Sequence, residues 1–102
     1  MTFELLSEMF VTHHNAEHGT MMGTPGLRYK GEFVAMIFER ADSLIVKLPA
    51  ERVNELIATE QGNEFNFTKK RFREWVLIPR QHQDRYEEYM MEALEFARSK
   101  AK

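Results

Sequence analysis

Three short apolar runs separated by turn signals constrain the fold of this chain more than any other feature. Two glycines and Pro25 interrupt the stretch from Thr20 to Tyr29, Lys30-Gly31 is typical of a turn, and the run EFVAMIFE follows. The letters RADS then precede SLIVKL, where apolar residues at 44, 46 and 48 alternate with residues 43, 45 and 47. The pattern predicts three consecutive strands joined as hairpins.

Segments with helical periodicity occur before and after these strands. Residues 3 to 16 carry one apolar stripe, a narrower stripe follows Pro49 and runs to Gly62, and a third begins at about Asp84. Between the last two, EFNF and REWVLIP are typical of two further strands, separated by the basic letters TKKR. The predicted fold is therefore an α+β two-layer sandwich in the order α-β(3)-α-β(2)-α, with a mostly antiparallel five-stranded sheet.

Length and composition restrict the class of protein. A chain of 102 residues, 43% of them hydrophobic, is expected to form a single domain spanning residues 1–102. The formal net charge of −2 argues against a general binder of nucleic acid or anionic membranes. Cysteine is absent, which excludes disulfides and thiolate chemistry. The N-terminus is not typical of a signal peptide, and no apolar run approaches the roughly 20 residues that span a bilayer, so a cytoplasmic location is expected.

No sequence motif of catalysis is present. The chain has no nucleophile elbow, phosphate loop or dinucleotide fingerprint, and its carboxylates fall mostly on helix faces that we expect to be solvated. The GTPG segment at residues 23–26 precedes a strand, not a helix whose N-terminus could bind a phosphate. We therefore expect no catalytic residues, no cofactor and no enzymatic activity.

Two histidines are weak candidates for a metal site. His14 and His18 lie four residues apart, a spacing that places two imidazoles on one helical face. The pattern lacks a third protein ligand. The alternative is that both are ordinary polar residues at a helix end.

Basic and aromatic residues alternate between the last two predicted strands. Lys69, Lys70, Arg71 and Arg73 surround Phe72, an arrangement that can hold phosphates and stack bases. The alternative is a solvated edge, where cationic side chains discourage strand-to-strand aggregation. A contact with nucleic acid thus stays an alternative hypothesis.

The predicted sheet has apolar residues on both of its sides. Met36, Phe38 and Ile45 lie on strands whose two faces are both apolar, and helices on one face would leave part of the other face open. These three residues are the predicted interaction surface, and we expect at least a weak homodimer or an unidentified protein partner to cover it.

Three segments together are similar to a known family. They are MMGTPGLRYKGEFVAMIFE, SLIVKLPAERVNEL and REWVLIP, and with the closing amphipathic helix they span about Met21 to Ala97. This series resembles the TfoX N-terminal domain family, with the MmcQ/YjbR-like proteins as more distant relatives. The resemblance implies a fold like that of secretion chaperones and a regulatory role, since the founding protein is a positive regulator of natural competence. It implies no catalytic residues.

The resemblance also bears on the choice between partners. The more distant relatives have been discussed as DNA binders through wing-like hairpins, which here correspond to Lys30-Gly31 and to Lys69 through Arg73. The leading hypothesis is a small cytoplasmic regulatory or adaptor module that acts by protein–protein contact. A DNA-binding regulator is the alternative, and metal binding through His14 and His18 is a weaker third.

Overall fold

The structure is a computed structural model that describes residues 3–21, 24–38, 43–67 and 70–100, without the side chains of residues 21, 66, 67, 70 and 71. Within these ranges it contains three α-helices and one open antiparallel sheet of six strands. The elements in chain order are α1 (Phe3–His14), β1 (Glu17–Met21), β2 (Thr24–Tyr29), β3 (Glu32–Phe38), β4 (Ser43–Lys47), α2 (Ala50–Ala58), β5 (Asn63–Phe67), β6 (Lys70–Pro79), a 3-10 helix (Arg80–Arg85) and α3 (Tyr86–Lys100). The predicted α+β class is confirmed.

The helices and the sheet form two layers. The strand order is β1-β2-β3-β4-β6-β5, and every neighbouring pair is antiparallel. All three helices contribute buried residues to one apolar cluster, which also contains Leu27, Leu44 and Val76 from the sheet. A second cluster holds residues of β3, β4, β5 and β6 and none from a helix. The sheet therefore has a helix-covered side and a helix-free side.

The predicted number of strands is wrong, because the helix predicted over residues 3 to 16 ends at His14 and an additional strand, β1, follows it at Glu17–Met21. Asn15 adopts a left-handed conformation with φ 60°, which ends α1 at His14. The amide of Ala16 then donates to the Phe10 carbonyl at 3.2 Å, and Ala16 is buried under the turn. The chain reverses there and adds β1 to the edge of the sheet, paired with β2.

A β-bulge sorts the side chains of β3 between the two layers. Leu27 pairs with Ala35 and Arg28 pairs with Phe33, so Val34 is one extra residue on β3. Val34 and Ala35 consequently both pack in the helix-side cluster, although strand neighbours normally face opposite sides. Phe33 and Met36 pack in the helix-free cluster.

An ion pair joins two helices on the outside of the helix layer. Arg52 of α2 donates to Glu92 of α3 through Nε at 2.8 Å and Nη2 at 3.0 Å, and its Nη1 contacts Glu55. The hydrogen bond to Glu92 is the main cause that raises the pKa of the Arg52 guanidinium above its already high ordinary value. Because this bidentate geometry fixes the relative orientation of both side chains, the pair connects α2 to α3 at a defined position.

Two glycines face each other where β1 meets β2. Gly19 is paired with Gly26, and Gly26 is paired in turn with Met36 of β3. A Cβ atom on Gly26 would lie 2.9 Å from the carbonyl oxygen of Ala35, which belongs to the backbone of the next strand. A Cβ on Gly19 would instead meet the Arg28 side chain at 3.0 Å.

This pair gives a stability test with an internal control. We expect Gly26→Ala to lower the free energy of unfolding by about 1–3 kcal/mol, because the β3 backbone must shift to admit the methyl group. Gly19→Ala should change it by less than about 0.5 kcal/mol, because the Arg28 side chain can move away. Urea unfolding of both variants measures the difference. Equal losses would contradict the close approach at Gly26.

Candidate functional site

The helix-free side of the sheet carries a continuous apolar surface, here called the aromatic face. Its members come from four strands and pack as one cluster: Phe33, Met36, Phe38, Ile45, Phe65, Phe72, Trp75 and Leu77. Ile45 and Leu77 are direct cross-strand partners, which joins the β3–β4 part of the face to the β5–β6 part.

A stack of rings lies at the centre of the aromatic face. The Phe65 ring is 5.4 Å from both Trp75 and Phe72, at 30° and 35°, and meets Phe38 edge-on at 5.6 Å. Phe72 and Trp75 stack at 5.0 Å, and Trp75 stacks on Phe33 at 4.6 Å. Each such pair stabilises the fold by about 0.5–1.5 kcal/mol beyond the contribution from burial of the rings. Phe65 and Trp75 each contact three other rings, and of the two only Phe65 is fully buried.

An irregularity between β5 and β6 brings these rings together. Glu64 pairs with Val76 and Asn66 pairs with Arg71, so Phe65 alone in β5 lies opposite the four residues 72–75 in β6. The extra residues let Phe72 and Trp75 pack on the same side of the sheet although they are three positions apart.

The interaction surface predicted from the sequence is only partly present. Met36 and Ile45 have no exposed area, so the prediction that they form an open surface is wrong. The physical reason is that the Phe65-centred stack belongs to the same cluster and covers them within the chain. Phe38, the third predicted residue, is half-buried. The accessible part of the aromatic face consists of Phe38, Phe72, Trp75 and Leu77, all half-buried.

Charged side chains in the described part of the chain lie close to this accessible part in the strand pairing or the sequence. Lys47 is the cross-strand partner of Trp75, and its Nζ lies 3.8 Å from the Glu32 carboxylate. Arg73, between Phe72 and Trp75 in sequence, is exposed. Among the described side chains, the border thus includes a pair of opposite charges and an exposed cation, an arrangement compatible with an apolar contact.

Part of the basic segment that was predicted to connect the last two strands lies within β6. Lys70 and Arg71 lie inside β6, opposite Phe67 and Asn66, and not in the connection before the strand. The cause is that β6 begins earlier than the apolar letters REWVLIP indicated. Lys69 lies outside the described residues.

The structure separates the two histidines of the metal hypothesis. His14 ends α1, and its ring lies 5.3 Å from that of Phe10. His18 is in β1, with Nε2 3.2 Å from a Glu8 carboxylate oxygen. The prediction that the two imidazoles share one helical face is wrong, because the left-handed Asn15 ends the helix between them. In the described parts of the chain, no group of three or more His, Cys, Asp or Glu residues could hold a metal ion.

A groove on the helix side was not predicted. It lies between the first half of α1 and the β1–β2 hairpin, and Thr24, Pro25 and Gly26 of the GTPG segment line it together with Ser7. The available signal was Ser7 itself, a hydroxyl placed next to the apolar stripe of α1 at Leu6. Residues 24–26 of this segment therefore lie in β2 and also form one wall of a cavity.

Comparison of the chain with protein-family models, curated proteins and solved structures finds no match. Across the described residues, none of the helices has the length and apolar character needed to cross a membrane.

The ring stack predicts a graded response to substitution. Phe65→Ala should lower the free energy of unfolding by about 3–5 kcal/mol, because it removes a fully buried ring. Phe72→Ala removes a half-buried ring and should lower it by about 1–2 kcal/mol. Urea unfolding measures both, and Phe65→Leu provides an intermediate step if Phe65→Ala does not fold. Equal losses at positions 65 and 72 would show that Phe65 is not central.

Proposed function

We propose that the chain is a small non-catalytic adaptor or regulatory module that contacts a protein partner through the accessible part of the aromatic face. One observation carries the proposal. The half-buried side chains of Phe38, Phe72, Trp75 and Leu77 lie together on the side of the sheet that no helix covers.

The composition of this surface supports protein contact. Aromatic residues are enriched at protein interfaces, and tryptophan is prominent among the residues that dominate binding energy. Trp75 is packed between Phe33 and Phe72 before any partner arrives. Its rotamer is restricted in the free protein, so binding loses little side-chain entropy.

A second copy of the chain is the proposed first partner. Two aromatic faces can meet around a twofold axis, because the same apolar surface then lies on both sides. The resemblance to the TfoX N-terminal domain family supports a regulatory role and a fold like that of secretion chaperones. Both remain part of this proposal.

Trp75 allows a direct test, because it is the only tryptophan in the sequence. If a partner covers the face, Trp75 emission should shift to shorter wavelength and iodide quenching should fall as the protein concentration rises. Sedimentation velocity on the same samples should show a monomer–dimer equilibrium in the micromolar range.

Two substitutions of matched chemistry make this test specific. Phe72→Lys places a cation on the aromatic face and should abolish association. Leu5→Lys makes a similar change on α1, at a side chain that is 60% exposed, and should leave association intact. Tagged forms of both variants extend the comparison to other partners in extracts of the native cell. A protein that neither self-associates nor retains any Phe72-dependent partner would overturn the proposal.

A DNA-binding regulator is a second candidate, because one observation favours it. Arg73 is exposed and lies in sequence between Phe72 and Trp75, whose rings stack, and Lys70 and Arg71 directly precede Phe72 in the same strand. This arrangement combines cations for phosphates with rings for bases.

The corresponding experiment is a salt titration of duplex binding. Replacing Lys69, Lys70, Arg71 and Arg73 with alanine should weaken binding and reduce the slope of log K against log salt by up to about 4. The control replaces Arg80, Arg85, Arg98 and Lys100, which lie at or after the end of β6. Equal losses in the two variants, or no binding by the wild type at low salt, would reject this candidate.

A further inference from the structure

The groove between α1 and the β1–β2 hairpin has a volume of about 260 Å³. This lies just below the range of about 300–1,000 Å³ that is typical of ligand pockets, so the groove can admit a small molecule or one long side chain. Ile37, a member of the helix-side cluster, contributes to its lining. The groove is therefore on the opposite side of the sheet from the aromatic face.

Ser7 gives the groove its most unusual group. The residue is only 5% exposed, and its hydroxyl has no hydrogen-bond partner among the described residues. It is the one buried side-chain polar atom in that part of the chain with no partner. Buried hydroxyls are normally paired, because water can no longer satisfy them. Since Ser7 lines the groove, a ligand there toward which the Ser7 side chain turns would supply the missing partner.

The charged residues that line the groove are mainly acidic. Glu4 and Glu8 lie one helical turn apart on α1, next to Ser7, and both are exposed. Like charges at this spacing repel each other. The third ionisable group is His18, whose Nε2 contacts Glu8 at 3.2 Å from the neighbouring strand. The groove thus favours a cation and disfavours an anion.

Apart from Thr24, the remaining lining is apolar. Phe3, Pro25 and Ile37 line the same groove as Ser7 and the two glutamates. A ligand that matches this surface has a cationic head and a short hydrocarbon body. A metal ion does not match it, because Glu4, Glu8 and His18 do not form a group that could hold one.

We propose that the groove binds a primary alkylammonium group, with the hydrocarbon part against Phe3, Pro25 and Ile37. An ammonium group has three N–H donors and no acceptor. The groove offers three acceptor groups, namely the Ser7 hydroxyl and the carboxylates of Glu4 and Glu8. The same head group occurs in free small amines and in lysine side chains, and the experiment separates these sources.

The binding test uses chemical-shift titration of the ¹⁵N-labelled full chain. The probes are n-hexylamine at neutral pH, hexan-1-ol as its uncharged counterpart, and Nα-acetyl-lysine N-methylamide as the lysine source. We expect n-hexylamine to produce saturable shifts confined to α1, β1 and β2, and hexan-1-ol to bind at least about tenfold more weakly, because a charge-assisted hydrogen bond is lost. Saturation by the lysine compound alone identifies a lysine side chain as the ligand.

Variants decide whether the named residues do the binding. Ser7→Ala should weaken n-hexylamine binding about three- to tenfold, and Glu4→Gln by a similar factor. Glu88→Gln, an exposed acid on α3, is the matched control and should have no effect. Ser7→Ala should also leave the urea midpoint unchanged or raised, since it removes an unpaired hydroxyl. A structural role for Ser7 would lower that midpoint.

Three outcomes would overturn the proposal. They are the absence of saturable shifts with both amines, equal binding of hexan-1-ol, and equal weakening by Glu88→Gln and Glu4→Gln. Failure of the proposed protein contact would not produce any of them, because Phe72 and Leu5 do not line the groove.

Discussion

A sheet that is covered by helices on only one side must find apolar cover for the other. In this protein the cover comes from the sheet's own last hairpin. Phe65 packs against Phe38, Phe72 and Trp75, and the resulting stack removes Met36 and Ile45 from water without a third layer. The irregular pairing of β5 with β6 makes this arrangement possible, because a regular ladder would send Phe72 and Trp75 to opposite sides. The face that results is aromatic and incompletely buried.

Much of the fold was predictable from local patterns. The hairpin of β2 and β3 follows from Lys30-Gly31, and the α2 boundary follows from Pro49, because each residue type has a strong local preference. The first edge strand was not predictable in this way. The helical stripe continues to residue 16, and only the left-handed Asn15 distinguishes the end of α1 from its continuation.

The sites were less predictable than the fold, for a reason that the aromatic face illustrates. Apolar residues on both sides of β3 and β4 indicated correctly that the second side would be apolar, but not what would cover it. That answer depends on which residues of β6 oppose Phe65, and this register is set by long-range packing. The groove has the same property, because Ser7, Pro25 and Ile37 are far apart in sequence and meet only in the folded chain. Periodicity describes single elements and carries little information about such junctions.

The reversal at Asn15 has a further consequence for motion. α1 and β1 are consecutive in sequence, and β1 is an edge strand of the sheet, so the two form a local unit. The β1–β2 ladder and buried residues such as Leu6 and Phe10 join this unit to the rest of the chain. Units of this kind can open below the free energy of global unfolding, while the central strands β3, β4 and β6 stay paired. The walls of the groove belong to this unit and to β2. A local opening of this edge would therefore separate the α1 wall of the groove from its β2 wall.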